Sequence, residues 1–171
     1  VIKGLVFLLP FLLATAKEFT GQSYPEIPTP LRLVNDLAGI LESTGELLLE
    51  QKLVAYDDST TTQIAIVTMK DLGGISASVY ATGLANKWGI GQEAEDNGIL
   101  ILVSLSNPRE MFISTGYGIE AIISDAEIKE IVDNDIIPAF KQGNYYVGLD
   151  KATSELIFRL RGKFKNEKTK R

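Results

Sequence analysis

The sequence predicts an α/β domain built on a short mixed sheet, and three observations carry that prediction. Gln63–Met69 (QIAIVTM) and Gly98–Ser104 (GILILVS) are apolar, β-branched runs with little polarity, as expected of strands buried on both faces. Between them, residues 76–88 place Val79, Tyr80, Leu84 and Trp88 at helical spacing, so a right-handed βαβ crossover between parallel strands is expected. Asn107-Pro108 then turns the chain, and residues 109–115 return as a third strand, antiparallel to the second.

The remaining elements follow in order. Residues 1–16 carry Lys3, the apolar run 5–13 and then Ala14-Thr15-Ala16, the layout of a secretory signal with cleavage after Ala16. The run is too short to span a bilayer, and Pro10 disfavours a stable core helix. Residues 17–30, with Gly21, Pro25, Pro28 and Pro30, read as an extended leader. Residues 34–41 form a short apolar opening segment in which Asp36 sits in a glycine-containing loop. Ser43, with Glu46 three residues on, predicts a capped helix to about residue 58, with residues 47, 48, 49, 53 and 54 as its buried face. A helix capped by Ser124 runs toward Pro138 and buries Ile128, Ile131, Val132, Ile136 and Ile137; a last helix starts near Tyr145 and reaches at least Phe158. The domain therefore spans 31–160, and 161–171 is a basic tail.

Composition removes most catalytic chemistries. The chain has 171 residues, no His and no Cys. Disulfides, thiolate metal sites, serine triads and zinc-histidine hydrolases are excluded on inventory. Oxygen ligands remain, and these select hard cations such as Ca²⁺ or Mg²⁺. With 17 basic and 22 acidic residues the net charge is −5, which gives no basis for general nucleic-acid binding.

Six separated motifs fall in sequence: V-x-D-x-A-G-x-L (Val34 to Leu41), Gly73-Gly74 after a strand, W-G-I-G (Trp88 to Gly91) and D-N-G-I-L (Asp96 to Leu100). Arg109 opens the next strand, followed by G-Y-G-I-E (Gly116 to Glu120) and I-P-x-F-x-x-G-x-Y-x-x-G (Ile137 to Gly148). Together they resemble the TPM domain family, which includes exported bacterial proteins and a thylakoid-lumen photosystem II repair protein. The resemblance covers about residues 31–160. It implies a small three-layer α/β/α sandwich, often accompanied by a membrane segment, and either acid phosphatase activity or the binding of divalent cations such as Ca²⁺. No C-terminal transmembrane stretch is found here, only the basic tail.

Strand order places the polar motifs. The second strand begins just after Asp96-Asn97 and the antiparallel third ends at Gly116-Tyr117-Gly118, so Glu95, Asp96, Asn97 and Glu120 are expected at one end of the sheet. They are candidate oxygen ligands for a weak Ca²⁺ or Mg²⁺ site, with Asp36, whose loop could fold to either end of the sheet, as the further candidate. Each has a plainer reading: Asp96-Asn97-Gly98 as a turn, Asp36 as an Asx-turn or cap, and Glu120 and Asp125 as charges favouring a helix N-terminus. Trp88 and Tyr117 read as core or rim residues. Arg109 lies at the opposite sheet end, paired with Asp71 or facing an anion. The expected function is an exported, monomeric accessory domain of the periplasm or cell envelope that binds a divalent cation. A metal-assisted phosphomonoesterase is the alternative. The basic tail is either solvated or a contact for an envelope protein or an anionic membrane surface.

Overall fold

A computed structural model describes residues 24–164. The expected signal, its cleavage site and the last seven residues of the tail lie outside the described residues. Four strands form one sheet in the order β1-β2-β3-β4: β1 (Val34–Asp36), β2 (Gln63–Met69), β3 (Gly98–Ser104) and β4 (Glu110–Thr115). The first three run parallel and β4 is antiparallel to β3, which is the mixed sheet the sequence predicts.

Both faces of β2 and β3 are covered, and this explains their unbroken apolar runs. Ile64, Ile66, Ile99 and Ile101 face one side, packed under Leu49 and Leu53 of α1 (Ser43–Thr60) and Leu149 and Leu156 of α6 (Tyr145–Arg159). Ala65, Val67, Leu100 and Leu102 face the other, under Tyr80, Ala81 and Leu84 of α2 (Ala77–Trp88). The result is the α/β/α sandwich, with each fully buried Leu or Ile contributing about 1.5–3 kcal/mol of transfer free energy.

The chain between β4 and α6 is helical in pieces: α3 (Tyr117–Glu120), α4 (Asp125–Ile131), a π-helical turn (Val132–Ile136) and α5 (Ile137–Lys141). The sequence predicts one helix from Ser124 toward Pro138, and the widened turn interrupts it. Pro138 cannot donate to the carbonyl four residues back and its ring crowds that carbonyl; a wider turn relieves both conflicts. Ser124 caps α4 with a reciprocal capping box to Glu127.

Three further expectations are corrected. Ser43 is the first helical residue of α1 and makes no cap; Glu42 holds that position, and Glu46 pairs instead with Arg32 at 2.8 Å. The buried stripe of α1 is Leu49, Leu53 and Tyr56, so Leu47, Leu48 and Val54 are exposed, as is Val79 on α2. Residues 34–36 are a strand and not a loop. The Glu50 carboxylate binds the N–H groups of Leu33 (3.1 Å) and Val34 (2.7 Å), which anchors this short edge strand to α1.

The described end of the leader packs as a strap over α2. The Tyr24 ring meets Tyr80 edge-on, with centroids 5.1 Å apart, and the Trp88 indole N–H donates to the Pro25 carbonyl at 2.9 Å. Lys87 binds the Tyr24 carbonyl (3.1 Å) and the Glu26 carboxylate (2.8 Å). Gly83 makes room: a Cβ there would lie 1.7 Å from the Tyr24 hydroxyl.

Candidate functional site

The register of the parallel strands separates the predicted ligands into two groups. Asp36 pairs in register with Thr68 near the C-terminal end of β2, whereas Gly98 pairs with Gln63 at its start. Five residues of strand, roughly 16 Å, lie between these positions. Asp36 therefore lies at the end away from the Asp96 loop and is removed from the candidate ligands. Its carboxylate is also engaged: it accepts the N–H groups of Gly39 (3.1 Å), Ile40 (3.1 Å) and Leu41 (2.8 Å), together with the Thr68 hydroxyl. Asp36 is the bracket that closes the turn after β1, as its Asx-turn reading implies.

Arg109 shares the Asp36 end of the sheet. It donates to the Tyr145 hydroxyl at 3.1 Å and makes no ion pair with Asp71, whose carboxylate accepts the Gly73 N–H at 2.6 Å. The expected Arg109–Asp71 pair is thus replaced by a contact to the start of α6.

At the other end, the segments 89–91, 95–98 and 116–118 cross at backbone distance. A Cβ on Gly98 would lie 2.0 Å from the Ile90 carbonyl oxygen, and one on Gly118 would lie 2.0 Å from the Glu95 carbonyl oxygen. Gly91, Gly98, Gly116 and Gly118 are required by this crossing, whereas Gly89, at φ +62°, has open space around it and ends α2. Asp96 sits in the left-handed region at φ +46°, one of the few conformations in which Asp and Asn are well tolerated.

Asn97 and Glu95 belong to the support of this loop. Asn97 is fully buried; its Oδ1 accepts the Gln92 N–H at 2.8 Å and its Nδ2 donates to the Glu95 carboxylate at 2.7 Å and to the Thr61 carbonyl at 3.3 Å. The same Glu95 oxygen also accepts from the Thr61 hydroxyl at 3.1 Å. Asn97 is turned into the loop, out of reach of solvent and absent from the cleft lining, which corrects its placement among the ligands. Glu95 is held as its partner.

Asp96 and Glu120 lie at the same end of the sheet, where β3 begins and β4 ends. Both line a cleft of about 770 Å³ between the C-terminal half of α2 and β4. Glu93 and Asp125 line it too, and no Lys or Arg does. These four carboxylates make no hydrogen bond or ion pair with any described residue. Tyr117 stands at the rim, 79 % exposed, so it is a rim and not a core residue. Glu93 escapes the sequence reading because it belongs to the turn before Asp96 rather than to a recognisable motif. Among the described residues no three acidic side chains gather closely enough to form a ready-made metal cage. A cation in the cleft would rest on one or two carboxylates, backbone carbonyls and water.

No helix among the described residues is long and apolar enough to cross a membrane. The TPM domain family model matches residues 34–158. No curated protein matches the chain. The N-terminal domain of a protein from P. gingivalis, solved by NMR, is 32 % identical, covering 78 % of this chain and 84 % of that one, with a TM-score of 0.69. The BA42 protein of the psychrophile Bizionia argentinensis is 22 % identical over 75 % of this chain and 87 % of its own, with a TM-score of 0.64. The N-terminal domain of cg2496 from Corynebacterium glutamicum is 18 % identical over 86 % and 84 %, with a TM-score of 0.54. The last two likenesses speak for the fold alone, but the family match and the first structure agree on more: the chain belongs to the TPM domain family.

Proposed function

We propose that this is an exported accessory domain that binds a divalent cation, Ca²⁺ or Mg²⁺, weakly in the cleft beside β4. The observation that carries the reading is the set of unpaired carboxylates there, Glu93, Asp96, Glu120 and Asp125, with no cationic side chain in the lining. Asp96 and Glu120 are the first candidates for direct ligands, since the glycine crossing holds their two loops together. Hard oxygen donors and a chain without His or Cys favour Ca²⁺ or Mg²⁺ over softer metals. The small number of carboxylates per ion supports millimolar affinity, suited to a compartment outside the cytoplasm. The signal-like residues 1–16 support that location, and the six Lys and Arg from residue 161 onward support attraction to an anionic envelope surface.

The phosphomonoesterase alternative is less well supported. A phosphate dianion entering this cleft meets four carboxylates and no Lys or Arg, so a bound metal would have to supply all the charge stabilisation.

Thermal unfolding with and without Ca²⁺ tests the proposal. At about ten times Kd, one bound ion stabilises by about 1.4 kcal/mol, a Tm rise of roughly 3–5 °C for a domain of this size. Asp96→Asn keeps a residue that tolerates positive φ and removes the charge, so the rise should disappear. An equal rise in both proteins, or none in either, would exclude the cleft as the site.

A further inference from the structure

Among the described residues β4 is an edge of the sheet, and no described strand pairs with its outer side. The Gly116 N–H donates to the Gly98 carbonyl at 2.9 Å, which marks Gly98–Gly116 as a hydrogen-bonded pair. Antiparallel alternation then makes Leu100–Ser114 and Leu102–Phe112 hydrogen-bonded pairs as well. The N–H and C=O groups of Met111, Ile113 and Thr115 consequently point away from β3, and no described residue takes them up. Such an edge is a template for another strand unless it is guarded by Pro, Lys or a bulge. β4 (EMFIST) has none of these, and its one charge, Glu110, is turned to the N-terminus of α2, where it accepts the Ala77 N–H at 2.8 Å.

The edge is also one wall of the cleft. Phe112 and Ser114 lie on the α2 side of the sheet, opposite Leu102 and Leu100, and the Ser114 hydroxyl approaches that of Thr82 at 3.4 Å. Thr82, Ala85 and Asn86 of α2 form the facing wall. The cavity is thus a groove between a helix and a free strand edge that opens at one end onto unpaired carboxylates. A helix beside an open edge is a geometry in which an extended peptide adds to a sheet: main-chain bonds supply affinity and alternate side chains supply selectivity.

We propose that this groove binds an extended, Lys- and Arg-rich segment of a partner protein, which adds to β4 as a further strand. The N–H and C=O groups of Ile113 and Thr115 pair with its main chain. Alternate side chains enter the groove between Phe112 and Ala85, and the cationic ones reach Glu93, Asp96 and Glu120. Charge complementarity selects the partner, because an acidic segment would meet only like charge at that end. Binding of this kind goes beyond the cation reading and stands without it, since the strand pairing uses main-chain groups alone.

The test follows backbone amide shifts of the full-length ¹⁵N-labelled protein on addition of the capped peptide Ac-Lys-Val-Lys-Val-Lys-Val-Lys-NH₂. Saturable shifts centred on Met111, Ile113 and Thr115 are expected. The same peptide with Glu in place of Lys should bind at least roughly tenfold more weakly. Two further probes carry N-methyl groups either on every Val amide or on every Lys amide; alternation sends these two sets to opposite edges of the peptide strand. One methylated probe should bind like the parent, and the other should lose roughly tenfold or more in affinity. Equal binding by both methylated probes would overturn strand addition, and equal binding by the Glu peptide would overturn the charge selection. Shifts that avoid β4, or no saturable binding at all, would overturn the groove itself.

Discussion

The carbonyl oxygen of Asp96 accepts the N–H of Gly118 at 3.0 Å, which ties the loop that opens β3 to the loop that closes β4. The bond forms only because both chains approach at a distance that no side chain on Gly118 would permit. It places Asp96 and Glu120 on one cleft.

Gly118→Ala tests that crossing. Its Cβ would lie 2.0 Å from the Glu95 carbonyl oxygen, a backbone atom that cannot swing aside. The substitution should destabilise the domain by about 1–3 kcal/mol, the usual consequence of forced overpacking. Urea unfolding reads this as a lower midpoint with an unchanged slope. A wild-type midpoint would mean that the loops are not in contact.

The strap over α2 has its own reporter. Trp88 is the sole tryptophan, and its indole N–H bonds to the Pro25 carbonyl. In Gly83→Ala the new methyl group would collide with the Tyr24 hydroxyl, the far end of a side chain that can move. The domain should stay folded while the strap lifts, with a red-shifted Trp88 emission matched by Tyr24→Ala. Wild-type emission in both variants would contradict the docking.

Leu84→Ala and Leu47→Ala separate two leucines that hydrophobicity alone cannot distinguish. Leu84 is fully buried under the sheet, and its loss should cost about 2–5 kcal/mol. Leu47 is 54 % exposed, so its truncation should stay within about 0.5 kcal/mol of wild type. Comparable losses at the two positions in urea unfolding would contradict the assigned face of α1.

The difference between those residues shows where the sequence was legible. β2 and β3 were readable because both faces are buried and the apolar run needs no periodic pattern. The face of α1 was not, because residues 47, 48, 49, 53 and 54 cover more than half the helix circumference, and only packing selects Leu49, Leu53 and Tyr56. β1 was hidden by its length, three residues whose partner strand is some thirty positions away. In the site, the placement of Asp96 and Glu120 at one end of the sheet followed from the antiparallel return of β4. The position of Asp36 depended on β1 being a parallel strand, and local pattern did not reveal that. Nor does a residue type reveal whether its oxygen is already engaged, as with Asn97.

Acid and base limits differ between two carboxylates. Burial raises the pKa of Asp57 above its ordinary 3.8, against the Gln63 hydrogen bond and with help from the nearby Asp58 charge. Its ionisation therefore opposes folding: this contribution is most favourable below the unfolded pKa and is lost as pH rises through the folded one. Asp57→Asn should raise Tm at neutral pH and lose that advantage in acid. Glu127 behaves in the opposite sense, its pKa lowered by hydrogen bonds from Ser124 and by the Arg159 charge. Its contribution is present above the unfolded pKa and fades as pH falls through the folded value, so Glu127→Gln should lower Tm at neutral pH and converge on wild type in acid. Thermal unfolding across pH 3–8 compares the two variants; parallel curves would contradict the assigned signs.

The proposed cation site lies where β3 begins and β4 ends, and excludes Asp36. The most direct measurement is a Ca²⁺ titration followed by backbone amide shifts in the ¹⁵N-labelled protein. Saturable shifts are expected at residues 93–98, 116–121 and 125, with residues 36–41 unmoved. Shifts centred on Asp36, or no saturable shift anywhere at millimolar Ca²⁺, would contradict the account.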